Sequence, residues 1–232
     1  MTRTNTPSTP ERCRLLLSRW RSNLHLSKRE CSQLAGELIN LDNQINRLMK
    51  SSFRIAIFGR VGVGKSSLIN ALLGKKVFDT DIAHGCTSHI QKVTWEKHIK
   101  NIGEVELIDT PGIDEISAEE RASLATRVAL QADLVLLTLD SDITTVELEA
   151  IDALSKSGKP IMLVLNQCDQ WSANEQRKLI SSISSRLPLQ AKFFDIPAIA
   201  AAPRKAQIQL DGRVRSHPIH PQVEPLKESL TT

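Results

Sequence analysis

The stretch Phe53-Arg-Ile-Ala-Ile-Phe58, followed at once by Gly59-Arg60-Val61-Gly62-Val63-Gly64-Lys65-Ser66, decides the fold of this chain. Its first part is a short apolar run that predicts a buried strand, and its second part matches G-x-x-x-x-G-K-[ST]. The next residues have helical apolar spacing. Glycines permit a loop whose successive N–H groups point inward, and the helix dipole adds positive charge. The sequence therefore predicts a strand, a loop that cradles phosphates, and a helix.

Two further motifs follow apolar runs and narrow the class of nucleotide. Asp109-Thr-Pro-Gly112 has the pattern D-x-x-G, in which Asp109 is placed to hold the hydration shell of Mg²⁺ and the Gly112 N–H to reach a γ-phosphate. Asn166-Gln-Cys-Asp169 follows another apolar run. The Asp169 carboxylate could accept both the N1–H and the exocyclic amine of guanine, a pairing that adenine does not offer.

With these three motifs in this order, residues 53–202 resemble the P-loop GTPases, in the branch that includes Era and the G domains of TrmE and EngA. The resemblance implies a Ras-like G domain that hydrolyses GTP to GDP and phosphate as a molecular switch, with Mg²⁺ as cofactor. A GTP-binding scaffold with negligible hydrolysis is the alternative. Expected nucleotide-binding residues are Gly59, Arg60, Val61, Gly62, Val63, Gly64, Lys65, Ser66, Ser67, Asp109, Gly112, Asn166, Gln167, Asp169, Ala200 and Ala201.

The resemblance also assigns roles within the site. Lys65, Thr87 and Gly112 are the expected catalytic residues, and Ser66, Thr87 and Asp109 the expected magnesium ligands. Thr80 and Thr94 compete with Thr87, which is preferred because it lies in a polar loop just before a strand. Residues 199–202 occupy the position at which the family's S-A motif donates a backbone N–H to guanine O6, although the serine is missing.

Four residues bear on affinity and rate. Gln167 replaces the lysine of N-K-x-D, whose stem covers the base, so nucleotide affinity is expected to be reduced. Gly62 stands where potassium-activated members of the family carry an asparagine that helps to ligate the monovalent cation. Ile113 occupies the position of the glutamine that orients water in Ras-like proteins. Arg60, inside the phosphate-binding loop, is the only candidate in the chain to neutralise transition-state charge, and its ordinary interpretation is a solvated loop residue.

Alternating apolar runs and helical segments predict an α/β fold with a mostly parallel, six-stranded sheet and helices on both faces. The predicted strands are 54–58, 91–96, 105–109, 134–139, 161–165 and 194–199. Capping boxes predict helix starts at Ser27, Ser117, Thr144 and Ser172. We expect a disordered segment over 1–10, a helical hairpin or kinked helix over 11–52, and a G domain over 53–232. In that domain 203–222 is expected to be a loop, and the short last helix, from about 224, suggests truncation.

Composition limits the partners. Residues 1–30 hold seven Lys or Arg against two Glu, which is ordinarily interpreted as a solvated helix face; any anionic membrane or partner protein is expected to meet residues 1–50. Aromatic residues make up 3% of the chain, which gives no sign of a specific nucleic-acid partner. The four cysteines lack C-x-x-C spacing, which favours a reducing compartment. We expect a cytoplasmic protein, membrane-associated if the native chain continues beyond Thr232, with an unknown effector and self-association through the G domain.

Asp169→Asn tests the predicted guanine selectivity. The exchanged amide donates where the carboxylate accepted, so the variant should lose GDP binding and gain XDP binding. We expect a loss for GDP of about 2 to 4 kcal/mol, measured by calorimetry with GDP, ADP and XDP. Equal affinity of the unmutated protein for ADP and GDP would contradict the assignment.

Overall fold

The computed structural model describes residues 9–50, 52–79, 90–96, 104–188, 195–208 and 213–231. The chain forms two compact units. The first contains Met1–Phe53 and His98–Val105, and the second contains Arg54–Lys97 and Glu106–Thr232.

The first unit is helical. Helices α1 (Thr9–Ser22), α2 (Lys28–Gln33) and α3 (Ala35–Lys50) follow one another, and α1 packs against α3. The Arg21 guanidinium joins these two helices by donating to both carboxylate oxygens of Asp42, at 2.9 and 3.2 Å. The predicted disordered segment 1–10 is wrong for its last two residues, because α1 begins at Thr9 and Pro10 fits the first helical turn. Residues 1–8 lie outside the described residues.

The second unit is built around a five-stranded sheet in the order β2-β3-β1-β4-β5. The strands are β1 (Phe53–Phe58), β2 (Gln91–Trp95), β3 (Val105–Asp109), β4 (Leu134–Leu139) and β5 (Ile161–Leu165). The helices are α4 (Lys65–Leu73), α5 (Ala118–Gln131), α6 (Thr145–Lys156), α7 (Ala173–Arg186) and α8 (Glu224–Ser229). Helices cover both faces of the mostly parallel sheet, so the predicted Ras-like α/β class is confirmed.

The centre of the sheet forms the core. β4 pairs in parallel with β1 on one side and with β5 on the other, and every residue of β4 and β5 is buried. Strands that are covered on both faces are continuous apolar runs, which is the pattern that predicted them. α5 and α6 pack on this sheet through their buried alanine, valine and leucine residues. The carboxyl ends of these strands therefore have fixed positions.

The helix starts follow their capping signals. Each predicted box is present, with the serine or threonine side chain accepting from a glutamate N–H and the glutamate side chain accepting in return. These boxes begin α2, α5, α6 and α7. No helix among the described residues is long and apolar enough to cross a membrane.

Two predicted elements are wrong. The expected sixth strand over 194–199 is reduced, in residues 195–199, to an isolated parallel bridge between Leu165 and Ala198, because Pro197 has no N–H to extend a ladder. The expected loop over 203–222 contains the antiparallel hairpin β6 (Arg204–Ile208) and β7 (Val214–Pro218). Pro203 precedes β6 and Pro218 ends β7, so neither proline interrupts the pairing. Because β7 is exposed throughout, it lacks the apolar alternation that reveals a strand.

Candidate nucleotide-binding site

The loop between β1 and α4 has the backbone conformation that its glycines predict. Gly59 has φ 149° and Gly64 has φ 87°, both in the region that favours glycine. A Cβ on Gly59 would lie 2.5 Å from the Thr138 carbonyl oxygen, so this position also needs the space. The buried Lys65 ammonium donates to the carbonyl oxygens of Gly59 and Arg60, at 3.1 and 2.7 Å. The loop therefore holds its lysine against its own backbone, at the start of α4.

Ser66 and Asp109, the two predicted magnesium ligands that lie within the described residues, are brought together. The Ser66 hydroxyl donates to Asp109 Oδ2 at 2.7 Å, and Asp109 is fully buried at the end of β3. A hydroxyl and a carboxylate are the oxygen donors that Mg²⁺ prefers. This donor pair fits the ion. Among the described residues, no cluster of three or more His, Cys, Asp or Glu side chains could hold a metal by itself.

The D-x-x-G segment lies directly on the phosphate-binding loop. A Cβ on Gly112 would overlap the Val61 side chain and lie 2.9 Å from the Val61 nitrogen, so only glycine fits there. The Val61 N–H donates to Asp114 Oδ1 at 2.7 Å, and the Ile113 N–H donates to the Gly59 carbonyl at 3.3 Å. The segment therefore contacts the loop through backbone and side chain. The sequence analysis missed Asp114, for which it had no motif signal.

Ile113 is fully buried in the core of the second unit. Its side chain contains no hydrogen-bonding group, and its position in the core takes it out of contact with solvent. Ile113 therefore cannot orient a water molecule. Instead it anchors the D-x-x-G segment to the sheet.

Asn166 joins three parts of the site through one buried side chain. Its amide nitrogen donates to the Val63 carbonyl at 2.8 Å, and its amide oxygen accepts from the Ala201 N–H at 3.0 Å. A Cβ on Gly64 would lie 2.5 Å from that amide nitrogen. Asn166, the first residue of the third motif, thus ties the phosphate-binding loop to the segment at 200–201.

The predicted hydrogen bond from Ala200 or Ala201 to guanine O6 does not fit the structure. The Ala200 N–H donates to the Gln222 carbonyl at 3.0 Å, and the Ala201 N–H is bonded to Asn166. Both donors are therefore already used. Because the serine of the S-A motif is missing, the sequence placed the donor only within residues 199–202 and did not fix which residue it is.

Gln167 and Asp169 flank the buried Cys168 beside Asn166. Gln167 has φ 57°, and its side-chain amide donates to the Gly62 carbonyl at 2.9 Å, which is a second tie to the phosphate-binding loop. Asp169 is exposed, and its Oδ2 accepts from the Arg204 N–H at 3.3 Å. Burial raises the pKa of the Cys168 thiol to about 11. This thiol therefore stays protonated at neutral pH.

Arg60 is not the solvated residue that the sequence suggested. Its Nε donates to Glu147 Oε1 at 2.9 Å and its Nη2 to Asp140 Oδ1 at 2.7 Å. Burial lowers the pKa of Arg60, but the hydrogen bond and charge of Glu147, with the charges of Asp140 and Asp114, outweigh that effect and raise it overall. Sequence reasoning identified Glu147 only as a capping residue and gave no signal for Asp140.

The remaining predicted residues have different outcomes. Thr87 and its competitor Thr80 lie outside the described residues, whereas Thr94 lies inside β2, as expected. Ser67 is half-buried in the first turn of α4. Val61, Gly62 and Val63 lie in the phosphate-binding loop, where each contributes a backbone group to the hydrogen bonds described above.

The comparisons with known proteins agree with this geometry. The family model described as 50S ribosome-binding GTPase matches residues 54–167. GTPase Der of Buchnera aphidicola is 30% identical over 183 residues, which are 75% of this chain and 39% of that protein. The tRNA modification GTPase MnmE of Thermoanaerobacter sp. (strain X514) is 32% identical over 166 residues, 66% of this chain and 35% of MnmE. The chain belongs to the bacterial-type P-loop GTPases.

Solved structures support the same family. Era of Aquifex aeolicus, a variant bound to GDP and AlF4⁻, superposes with a TM-score of 0.52 and 27% identity, over 65% of this chain and 51% of Era. The chain spans less than two fifths of the length of the two curated GTPases named above. The similarity to these relatives therefore concerns the G domain.

Asn166→Ala should damage both the stability and the nucleotide binding of this GTPase. It leaves the Val63 carbonyl and the Ala201 N–H without their buried partner, which should cost about 2 kcal/mol or more in the free energy of unfolding. We expect GDP affinity to fall at least about tenfold, because the phosphate-binding loop loses its tie to Asn166. Urea unfolding and calorimetry measure the two effects.

Asn70→Ala is the matched control. Asn70 also bridges backbone groups, at Val77 and Phe78, but it lies toward the far end of α4 from the phosphate-binding loop. This control should lose stability while GDP affinity stays within about twofold. If both variants bind GDP equally well, Asn166 has no part in forming the site.

Proposed function

We propose that this chain binds GTP with Mg²⁺, hydrolyses it to GDP and phosphate, and uses the difference as a molecular switch. The observation that carries the proposal is the hydrogen bond between Ser66 and Asp109, beside a buried Lys65. In the proposal, Lys65 binds the β- and γ-phosphates, and Ser66, Asp109 and Thr87 hold the ion. When bound, Mg²⁺ would neutralise charge on the phosphate oxygens. Family membership supports GTP binding and hydrolysis in general.

The switch part of the proposal concerns the D-x-x-G segment. Gly112 and Thr87 are the proposed contacts of the γ-phosphate, and their loops would relax after hydrolysis. Gly112 lies against Val61 of the phosphate-binding loop, so loss of the γ-phosphate would change the surroundings of Gly112 directly. Arg121 connects this segment to α6, because its guanidinium donates to the Ile113 and Ile116 carbonyls and pairs with Glu149 of α6.

Guanine recognition is proposed for the exposed Asp169 carboxylate. Gln167, which is bonded to Gly62, would lie between the base and the phosphate-binding loop in place of the family lysine. Because the N–H groups of Ala200 and Ala201 are already bonded, the proposed donor to guanine O6 is the backbone N–H of Ala202, the exposed residue that follows. This assignment shifts the S-A position by one residue from the one the sequence suggested.

Intrinsic hydrolysis is expected to be slow. Ile113 is buried and apolar, and the Arg60 charge is taken up by two carboxylates, so neither residue assists an attacking water. Gly62 has no side chain with which to ligate a monovalent cation. A donor supplied in trans, by a partner or by a second copy of the G domain, would then be needed for fast turnover.

Single-turnover phosphate release from bound GTP tests the enzymatic proposal. We expect a rate of about 10⁻⁴ s⁻¹ or below for nanomolar protein, and less than about a threefold change when Na⁺ is replaced by K⁺. Lys65→Ala should abolish release because the γ-phosphate loses its cation. Lys75→Ala removes an exposed lysine beyond α4 and should leave the rate unchanged.

Two outcomes would count against this proposal. Turnover above about 0.1 s⁻¹ in NaCl at nanomolar protein would show that the water is positioned within one chain. Release that is equal in the Lys65→Ala and unmutated proteins would show that hydrolysis occurs elsewhere.

A second candidate function is a GTP-binding scaffold that holds an anionic membrane surface, and the exposed face of α1 favours it. Leu15, Leu16 and Trp20 are exposed on that face, at 52%, 68% and 55%. Arg12 and Arg19 lie on the same side of the helix. Apolar side chains between arginines suit the boundary of a bilayer. The cytoplasmic location expected from the sequence stays a prediction.

Vesicle co-sedimentation tests the scaffold. We expect the protein to sediment with phosphatidylserine-containing vesicles and to stay in solution with neutral ones, because the arginines need anionic lipid. Leu16→Glu should prevent sedimentation. Leu130→Glu, at an equally exposed leucine of α5, should leave it unchanged. If neither vesicle binds, the membrane role is wrong.

A further inference from the structure

Arg60 connects the phosphate-binding loop to a part of the fold that none of the three nucleotide motifs includes. Its guanidinium donates to Glu147 at 2.9 Å, to Asp140 at 2.7 Å and to the Ser141 hydroxyl at 3.3 Å. Asp140 and Ser141 follow β4, and Glu147 lies in the first turn of α6. A single loop side chain thus reaches the end of one strand and the start of the next helix.

Glu147 is unusual among the capping glutamates of the second unit. Its side chain is fully buried, whereas the equivalent Glu120 and Glu175 are exposed. Capping uses Oε2, which accepts from the Thr144 N–H and hydroxyl at 2.8 and 2.7 Å. The other oxygen, Oε1, accepts from Arg60. Since two exposed glutamates form the same capping box, burial of Glu147 is not needed for capping.

A fully buried carboxylate is costly unless it is paired with a charge or fully hydrogen-bonded. Arg60 supplies that charge, so the side chain of Arg60 is fixed from two sides by Asp140 and Glu147. The backbone of Arg60 is fixed with it. Its carbonyl oxygen is the nearer acceptor of the Lys65 ammonium, at 2.7 Å.

We propose that Arg60 and Glu147 are positioning residues of this GTPase, which hold the phosphate-binding loop so that Lys65 keeps its place for the nucleotide phosphates. The inference rests on the proposed nucleotide site. It adds to that site an ion pair outside the G-x-x-x-x-G-K-[ST], D-x-x-G and N-x-x-D motifs. Neither residue needs to touch the nucleotide.

The first test measures the GDP dissociation constant of Arg60→Ala, Glu147→Gln and the double variant. Each single change should weaken GDP binding about tenfold, which corresponds to ~1.4 kcal/mol. The double variant should be no weaker than either single variant, because both changes break the same link. Arg60→Lys keeps the charge but has one nitrogen in place of the two that reach Glu147 and Asp140, so its GDP affinity should lie between those of Arg60→Ala and the unmutated protein.

Two controls separate positioning from general stability. Glu175→Gln changes an exposed capping glutamate that has no arginine partner among the described residues, and Arg54→Ala breaks the ion pair with Glu106 at the other end of β1. Arg54→Ala should lower the melting temperature, whereas Glu175→Gln should change it little because glutamine also completes a capping box, and both should leave GDP affinity within about twofold. If Arg60→Ala and Glu147→Gln change only the melting temperature, as Arg54→Ala does, the proposal is overturned.

Amide hydrogen exchange in nucleotide-free protein provides a readout that does not depend on GDP binding. Arg60→Ala and Glu147→Gln should speed exchange at residues 61–66, and Glu175→Gln should not. Unchanged exchange would overturn the positioning role even in a protein that binds GDP. Faster exchange in a protein that binds no GDP would support the link and reject the proposed nucleotide function instead. Asp140→Asn, at a partly exposed partner, repeats the measurement if Glu147→Gln does not fold.

Discussion

The buried amide of Asn166 is the interaction on which the site depends. Its donor is bonded to the Val63 carbonyl of the phosphate-binding loop, and its acceptor to the Ala201 N–H of the segment after β5. A side-chain amide is stable in the core when its N–H and its oxygen are both hydrogen-bonded, whereas a buried donor or acceptor without a partner costs free energy. The contact also explains Gly64, because a Cβ there would collide with the Asn166 amide nitrogen. Asn166 therefore links the position of the phosphate-binding loop to that of the segment at 200–201.

Charges around the loop are paired within the protein. Lys65 is held by two loop carbonyls, Asp109 by the Ser66 hydroxyl, and Arg60 by two carboxylates. Preformed pairing of this kind reduces the reorganisation needed when a charged ligand arrives. The two cations differ in their partners, because Lys65 lies beside the proposed magnesium ligands while the charge of Arg60 joins the loop to α6. One loop thus carries the cation proposed to bind phosphates and a second cation that is paired within the fold.

Most of the architecture follows from local patterns in the sequence. The runs that became β1, β4 and β5 are continuous apolar segments, and the four capping boxes begin helices at the predicted residues. The β6–β7 hairpin escaped prediction because its exposed strands have no apolar alternation and its prolines resemble loop signals. The sixth strand failed because Pro197 limits the pairing with Leu165 to a single bridge. These errors lie where side-chain burial, the main sequence signal, is weak or absent.

By itself, the sequence determined the order of the elements, the phosphate-binding loop and the motif Asn166-Gln-Cys-Asp169, because each depends on residues that are close together in the chain. Only the tertiary structure decided that Arg60 is paired with Glu147, 87 positions away, and that Asn166 and Gly64 share one space. It also decided that Ile113 is buried in the core and that the N–H groups of Ala200 and Ala201 are already bonded. Such contacts join distant segments at the carboxyl edge of the sheet. Their geometry is set by how the strands and helices pack, which no spacing along the chain encodes.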